Sequence, residues 1–167
     1  MIEHTIIKQS CFTKSFEGDL NIIDKHIEHI KEFDEGRVIS NQGGFQSNDI
    51  TFGFKELLHS IYDGFKEVNL NTNLHSFWFN INKGSDHNAT HIHSTNVWSV
   101  VYYHKVCCDN SPLIFSSLVP SIQQDHYIYT PKPQEIVYFP GWYPHSVRGC
   151  NQVNHERISI AFNFQIM

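Results

Sequence analysis

Residues 157–164 read Arg157-Ile158-Ser159-Ile160-Ala161-Phe162-Asn163-Phe164, an unbroken two-residue alternation. Successive side chains of a strand point to opposite faces. One face therefore carries Arg157, Ser159, Ala161 and Asn163, and the other Ile158, Ile160, Phe162 and Phe164. Alternation this long marks a half-buried strand. Two placements of the polar face are open. Turned to solvent, it belongs to an ordinary surface strand. Turned inward, it buries a guanidinium, which is expensive without an anionic partner, so this placement implies a carboxylate ligand. The alternation weighs both equally, and histidines upstream favour the inward one.

Working back from this strand, the β texture extends to about residue 74. Residues 74–82 alternate around Phe77, Trp78 and Phe79, and residues 97–103 are dense in β-branched and aromatic side chains. Leu113-Ile114-Phe115, Tyr127-Ile128-Tyr129 and Ile136-Val137-Tyr138-Phe139 are short strands between turn-forming clusters. Short strands at this spacing indicate a sandwich or barrel. The first 70 residues read differently. Thr5-Ile6-Ile7-Lys8 is a short strand candidate. Leu20, Ile23, Ile27 and Ile30 follow helical spacing after Asp19, a suitable N-cap, with Gly36 as the stop. Residues 37–49 are polar and turn-rich, and a second apolar stripe runs from Phe54 to Val68. The expected architecture is mainly β with two packing helices: residues 1–70 hold the strand and helices, residues 74–166 a small antiparallel, barrel-like core, all in one domain.

Composition narrows the function. A chain of 167 residues with 40% hydrophobic and only 17% charged residues forms a packed globule rather than a disordered tail. The net charge of −5 supplies no basic footprint for nucleic acid. No apolar run is long enough to span a membrane, and the Met1-Ile2-Glu3-His4-Thr5 start lacks a secretory pattern, so a cytoplasmic location is expected. Cys11, Cys107, Cys108 and Cys150 fit neither a paired zinc site nor a disulfide framework and read as free thiols, the vicinal pair in a turn.

Chemistry concentrates in the second half. His91-Ile92-His93 puts two imidazoles at i and i+2, on one face if the segment is a strand. His145, in Gly141-Trp142-Tyr143-Pro144-His145, would close a facial triangle if a later strand brought it alongside. Three ligands on one face leave the rest of an octahedral ion open, and imidazole suits Fe, Zn, Cu and Ni. Arg157 could then anchor an acidic co-substrate. The other histidines are scattered and read as ordinary solvent-facing or hydrogen-bonding residues.

The stretches Asn41-Gln42-Gly43-Gly44-Phe45-Gln46-Ser47, Trp78-Phe79-Asn80, His91-Ile92-His93, Val101-Tyr102-Tyr103, Phe139-Pro140-Gly141-Trp142 through His145, and Glu156 to Asn163 occur in an order and spacing that resembles the Fe(II)/2-oxoglutarate-dependent oxygenases. The likeness is to a small group of cyanophage and bacterial members related to prolyl 4-hydroxylases. The resemblance implies a double-stranded β-helix of the jelly-roll or cupin-like kind, with Fe(II) and 2-oxoglutarate as cofactors. It makes His91 and His145 iron ligands, and Arg157 and Ser159 partners of the distal carboxylate of 2-oxoglutarate. Tyr103 would donate its phenol to that carboxylate, with Asn163 a weaker pocket candidate. A small molecule or peptide, a peptidyl proline among them, is the implied substrate, and a phage-encoded chain would act in host cytoplasm.

Two features depart from the expected pattern. His93 stands where the superfamily's usual motif has Asp or Glu, so three imidazoles would leave the ion one negative charge short, and nearby Asp86 is an alternative third ligand. Val100 and Val101 stand where a glycine is usual and would narrow the pocket. Other readings are a cupin-like three-histidine dioxygenase that does not use 2-oxoglutarate, a non-catalytic metal- or ligand-binding β-barrel, and three histidines unconnected in space.

Overall fold

The computed structural model describes residues 10–106, 111–117, 126–152 and 156–167. The strand expected at residues 5–8, the Cys107-Cys108 turn and most of the 116–125 loop lie outside these residues. The element order is β1 (Phe12–Ser15), α1 (Leu20–Phe33), β2 (Asn41–Gln42), β3 (Phe45–Gln46), α2 (Lys55–Glu67), β4 (Thr72–Lys83), β5 (His87–His91), β6 (Val97–Lys105), β7 (Leu113–Ser116), β8 (His126–Tyr129), β9 (Glu135–Pro140), β10 (His145–Val147) and β11 (Glu156–Ile166). A six-stranded sheet runs β1-β9-β6-β11-β4-β3 and a five-stranded sheet β2-β5-β10-β7-β8. The pairings within both are antiparallel. Residues 37–49, expected as polar turns, contribute one two-residue strand to each sheet, β2 pairing with β5 and β3 with β4.

Both helices form where the apolar spacing places them, and both cover the six-stranded sheet. Asp19 caps α1 by accepting the Asn21 N–H at 2.9 Å, which satisfies a donor the first turn leaves free. The stripe Ile23, Ile27 and Ile30 is buried, as are Leu57, Ile61 and Phe65 of α2. They meet Phe77, Phe79, Val100, Tyr102, Ile160, Phe162 and Phe164 of the sheet in one apolar cluster. Phe77 stacks on Phe162 at 5.2 Å, and Phe65 meets Phe164 edge-on at 4.9 Å. A buried aromatic or aliphatic side chain contributes about 1.5–3 kcal/mol. An exposed ion pair such as Lys14–Glu67 contributes about 0–1 kcal/mol. Apolar packing therefore holds this layer in place. Gly64 allows the close approach of α2, because a Cβ there would collide with the Tyr138 hydroxyl. His104, one of the scattered histidines, is a hydrogen-bonding residue: it sits 2.7 Å from Asp24 and ties β6 to α1.

The other face of the six-stranded sheet looks toward the five-stranded sheet. A smaller cluster of Tyr103, Leu113, Phe115, Val137 and Phe139 joins the two sheets. Beside it the same face turns polar: Asn80, Asn82, Ser99, Arg157 and Ser159 are all buried. The polar face of β11 is thus interior, the more costly of the two placements that alternation left open. Among the described residues, no helix is long and apolar enough to cross a membrane.

Candidate functional site

The register of the five-stranded sheet brings the histidines together. β10 pairs with β5 so that His145 stands directly across from His91. β5 ends at His91, so His93 reaches the group from beyond the strand rather than along one. Its N–H donates to Gly141 O at 2.7 Å, and the Gly141 N–H donates to Val97 O at 2.7 Å. A Cβ on Gly141 would stand 3.1 Å from both His93 Cβ and Ser99 Oγ. Only glycine lets the Pro140–Gly141 turn press this closely on His93. The ring centroids are 4.3 Å apart for His91–His145, 5.2 Å for His91–His93 and 5.3 Å for His93–His145. One ligand atom of each lies within 4.8 Å of the others. The reading of three histidines unconnected in space is excluded. Asp86 is not in the group; its carboxylate accepts the Lys83 N–H at 2.8 Å in the β4–β5 turn.

The rings are oriented for coordination. His91 Nδ1 lies 2.8 Å from Ala89 O, and His145 Nδ1 lies 2.8 Å from Tyr143 O. A carbonyl only accepts, so each Nδ1 carries the proton and each Nε2 keeps its lone pair. Burial lowers the His91 pKa against the bond to Ala89. Burial, then the neighbouring His91, brings His93 down to about 4. Burial and His91 bring His145 down to about 3 despite its bond to Tyr143. Neutral imidazoles are the form that binds metal.

Across the cavity, β11 presents Arg157, 2% exposed, and Ser159. The Arg157 guanidinium lies 5.0 Å from the centroid of the Tyr103 ring. Tyr103 is the cross-strand neighbour of Ser159. Arg157 Nε and Nη1 and the Tyr103 hydroxyl are buried without a hydrogen-bond partner. Burial raises the Tyr103 pKa, with the Arg157 charge opposing; burial lowers that of Arg157. A cation–π contact returns about 2 kcal/mol when desolvated, whereas burying the charge costs several. The balance calls for an anion. The donor set therefore fits both groups that the resemblance implies: three convergent imidazoles for a divalent iron, and unpartnered donors for a carboxylate.

His91, His93, His145, Arg157, Ser159, Tyr103 and Asn163 all line one cavity. Trp78, Asn80, Asn88 and Ser99 line it too, although the sequence reading gives none of them a place in the site. The signal for Trp78 and Asn80 lies in β4, where Trp78, Asn80 and Asn82 alternate with Phe77, Phe79 and Ile81 as the two faces of β11 do. Val101 also lines the cavity, at the position where the family pattern has glycine nearby.

No curated protein matches the chain in sequence. Solved structures do match in fold. A prolyl-4-hydroxylase from Pseudomonas putida aligns with TM-score 0.62 at 13% identity, over 94% of this chain and 92% of that one. The viral collagen prolyl hydroxylase of Paramecium Bursaria Chlorella virus-1, solved as a 2OG complex, aligns with TM-score 0.63 at 12% identity, over 94% and 96%. HygX from Streptomyces hygroscopicus, solved with nickel and 2-oxoglutarate bound, aligns with TM-score 0.69 at 7% identity, over 94% and 83%. The paired antiparallel sheets are those of a double-stranded β-helix, the expected fold. The sequence model of one family, described as "Putative 2OG-Fe(II) oxygenase", matches residues 76–163, a segment that includes every histidine of the group and Arg157. That segment is more than half of the chain, and the protein belongs to this family of 2OG-Fe(II) oxygenases.

Proposed function

We propose that the chain is an Fe(II)- and 2-oxoglutarate-dependent hydroxylase acting on a small molecule or peptide. The observation that carries this reading is the buried Arg157, with Nε and Nη1 unpartnered, in the same cavity as three convergent histidines. His91, His93 and His145 would hold the iron, His91 and His145 through the Nε2 atoms that their carbonyl bonds leave free. Arg157 would take the distal carboxylate of 2-oxoglutarate, since a guanidinium fork matches a planar anion. Ser159 and Tyr103 would each donate a hydroxyl to the same carboxylate. When bound, iron with 2-oxoglutarate would activate dioxygen as the oxidant, one oxygen atom entering the co-substrate as it loses carbon dioxide and the other entering a substrate C–H bond.

The protein's own part is placement and exclusion of water. Carbonyl bonds to His91 and His145 hold their rings at fixed angles, and the Gly141 turn holds the backbone of His93. Phe139 packs its ring 4.8 Å from that of His145 and shields one side of the group. The cavity lining demands no protein acid or base, because the oxidant does the bond breaking. The prolyl hydroxylase neighbours favour a peptide or amino-acid substrate by analogy alone.

An anaerobic Fe(II) titration with and without 2-oxoglutarate tests this directly. The expected result is a weak visible charge-transfer band that needs both components and disappears in Arg157→Ala. Iron binding with no response to 2-oxoglutarate would overturn the assignment in favour of a binding barrel or a dioxygenase that does without the co-substrate.

A further inference from the structure

The described residues that line the cavity include one fixed cation, Arg157, and no Asp or Glu. Glu135 stands across the ladder from Tyr103, but its carboxylate accepts the Lys132 N–H at 3.0 Å and it is not part of the lining. Asp86 is occupied in its turn. A divalent ion held by three neutral imidazoles keeps both of its charges. With Arg157 the site then totals three positive charges, and the two carboxylates of 2-oxoglutarate neutralise two. One positive charge is left, where a ligand set with one carboxylate would leave none.

The lining also has a polar end away from Arg157. Arg157 and Asn163 are six residues apart on one face of β11, about 20 Å along an extended strand. Asn163 pairs across the sheet with Ser99, and the Ser99 hydroxyl donates to Asn163 Oδ1 at 3.3 Å. Among the described residues, the Asn163 side chain bonds only through this oxygen, and its amide nitrogen meets no acceptor. Ser99 Oγ lies at the same Gly141 position that presses on His93. This end of the cavity therefore offers amide donors next to the histidines and, among the described residues, no carboxylate to repel a negative ligand.

We infer that the substrate is a small anion bearing a carboxylate, received at the Ser99–Asn163 end of the cavity. The inference rests on the hydroxylase reading above and narrows it: a neutral peptide is the alternative it rejects. His93 is the residue that sets the preference, because an aspartate in its place would cancel the spare charge. Asn163 contributes its free amide N–H groups.

The test uses full-length protein loaded with Co(II) and saturated with 2-oxoglutarate, titrated with azide and then acetate. The readout is the visible ligand-field spectrum of the cobalt, independent of turnover. Wild-type protein is expected to respond to both anions. His93→Asp, retaining cobalt and 2-oxoglutarate, should need roughly tenfold or more anion for the same change, the scale of one added charge a few ångströms away. Asn163→Asp is the second variant. It keeps an acceptor for the Ser99 hydroxyl, leaves all three histidines in place and should weaken anion binding in the same direction. A wild-type spectrum indifferent to both anions overturns the inference, as does anion affinity unchanged by either variant. Failure of the wild type to bind cobalt or 2-oxoglutarate is a different result, and it overturns the hydroxylase reading itself.

Discussion

The two faces of the six-stranded sheet are made from the same strands yet do opposite work. On one, Phe77, Phe79, Ile160, Phe162 and Phe164 meet two helices in one apolar cluster, and the Tyr138 hydroxyl within it donates to Ile61 O at 3.4 Å. On the other, Asn80, Asn82, Arg157 and Ser159 are as deeply buried, but several of their polar atoms have no partner. The first face stabilises the fold. The second weakens it, since an unpaired buried polar group costs about 1–3 kcal/mol and a charge more. A fold carries such a deficit at a place where a ligand can repay it.

This contrast can be broken most forcefully at β11. Phe162→Ala, on the helix side, should destabilise the protein by about 3–5 kcal/mol in urea or thermal unfolding. Arg157→Met, five residues away on the cavity side, should leave metal-free stability unchanged or raise it, because an apolar side chain relieves a buried charge. The same substitution should weaken 2-oxoglutarate binding by about 2–5 kcal/mol, measured by calorimetry on metal-loaded protein. Equal destabilisation by both substitutions would refute the division of labour between the faces.

Gly141→Val tests how the cavity side is held. The added branch meets Val97 O, His93 and Ser99, so His93 should shift and metal affinity fall about 10- to 100-fold with the fold intact, as for loss of a supporting contact. Acid should act in a graded way. The folded pKa values of His93 and His145, about 4 and about 3, lie below the ordinary 6.5. Between these limits the unfolded chain takes up protons that the folded chain refuses. Metal-free stability is therefore complete above pH 6.5 and declines as the pH falls toward 4, by up to about 1.4 kcal/mol per pH unit for each histidine. Urea midpoints from pH 7 to 5 with chelator present would check the slope. The smallest effect belongs away from both faces: Asp19→Ala should cost about 1 kcal/mol through the lost α1 cap, with ligand binding unchanged.

Much of this is legible in the sequence. Helical spacing in Ile23, Ile27 and Ile30, the cap at Asp19 and the alternation in β11 are local patterns, set by 3.6- and 2-residue periods that the backbone imposes on any packed chain. The spacing of histidines and arginine likewise pointed to a metal and an anion. Other features were not local. β5 and β10 are too short and polar to announce themselves as strands, and residues 37–49 looked like turns because two-residue strands have no period. Trp78 and Asn80 do not stand out as cavity residues because Phe77 and Phe79 beside them dominate that stretch.

Alternation in residues 157–164 established that β11 has two unlike faces, because side-chain direction follows from backbone geometry alone. It could not say which face the protein would bury, since burial depends on what packs against the sheet. The five-stranded sheet decided that, by covering the polar face that its own solvation would have left in water. The meeting of His91, His93 and His145 belongs to the same category. Register between β5 and β10 and one close-packed glycine bring the three together, and both are contacts between segments some fifty residues apart in the chain.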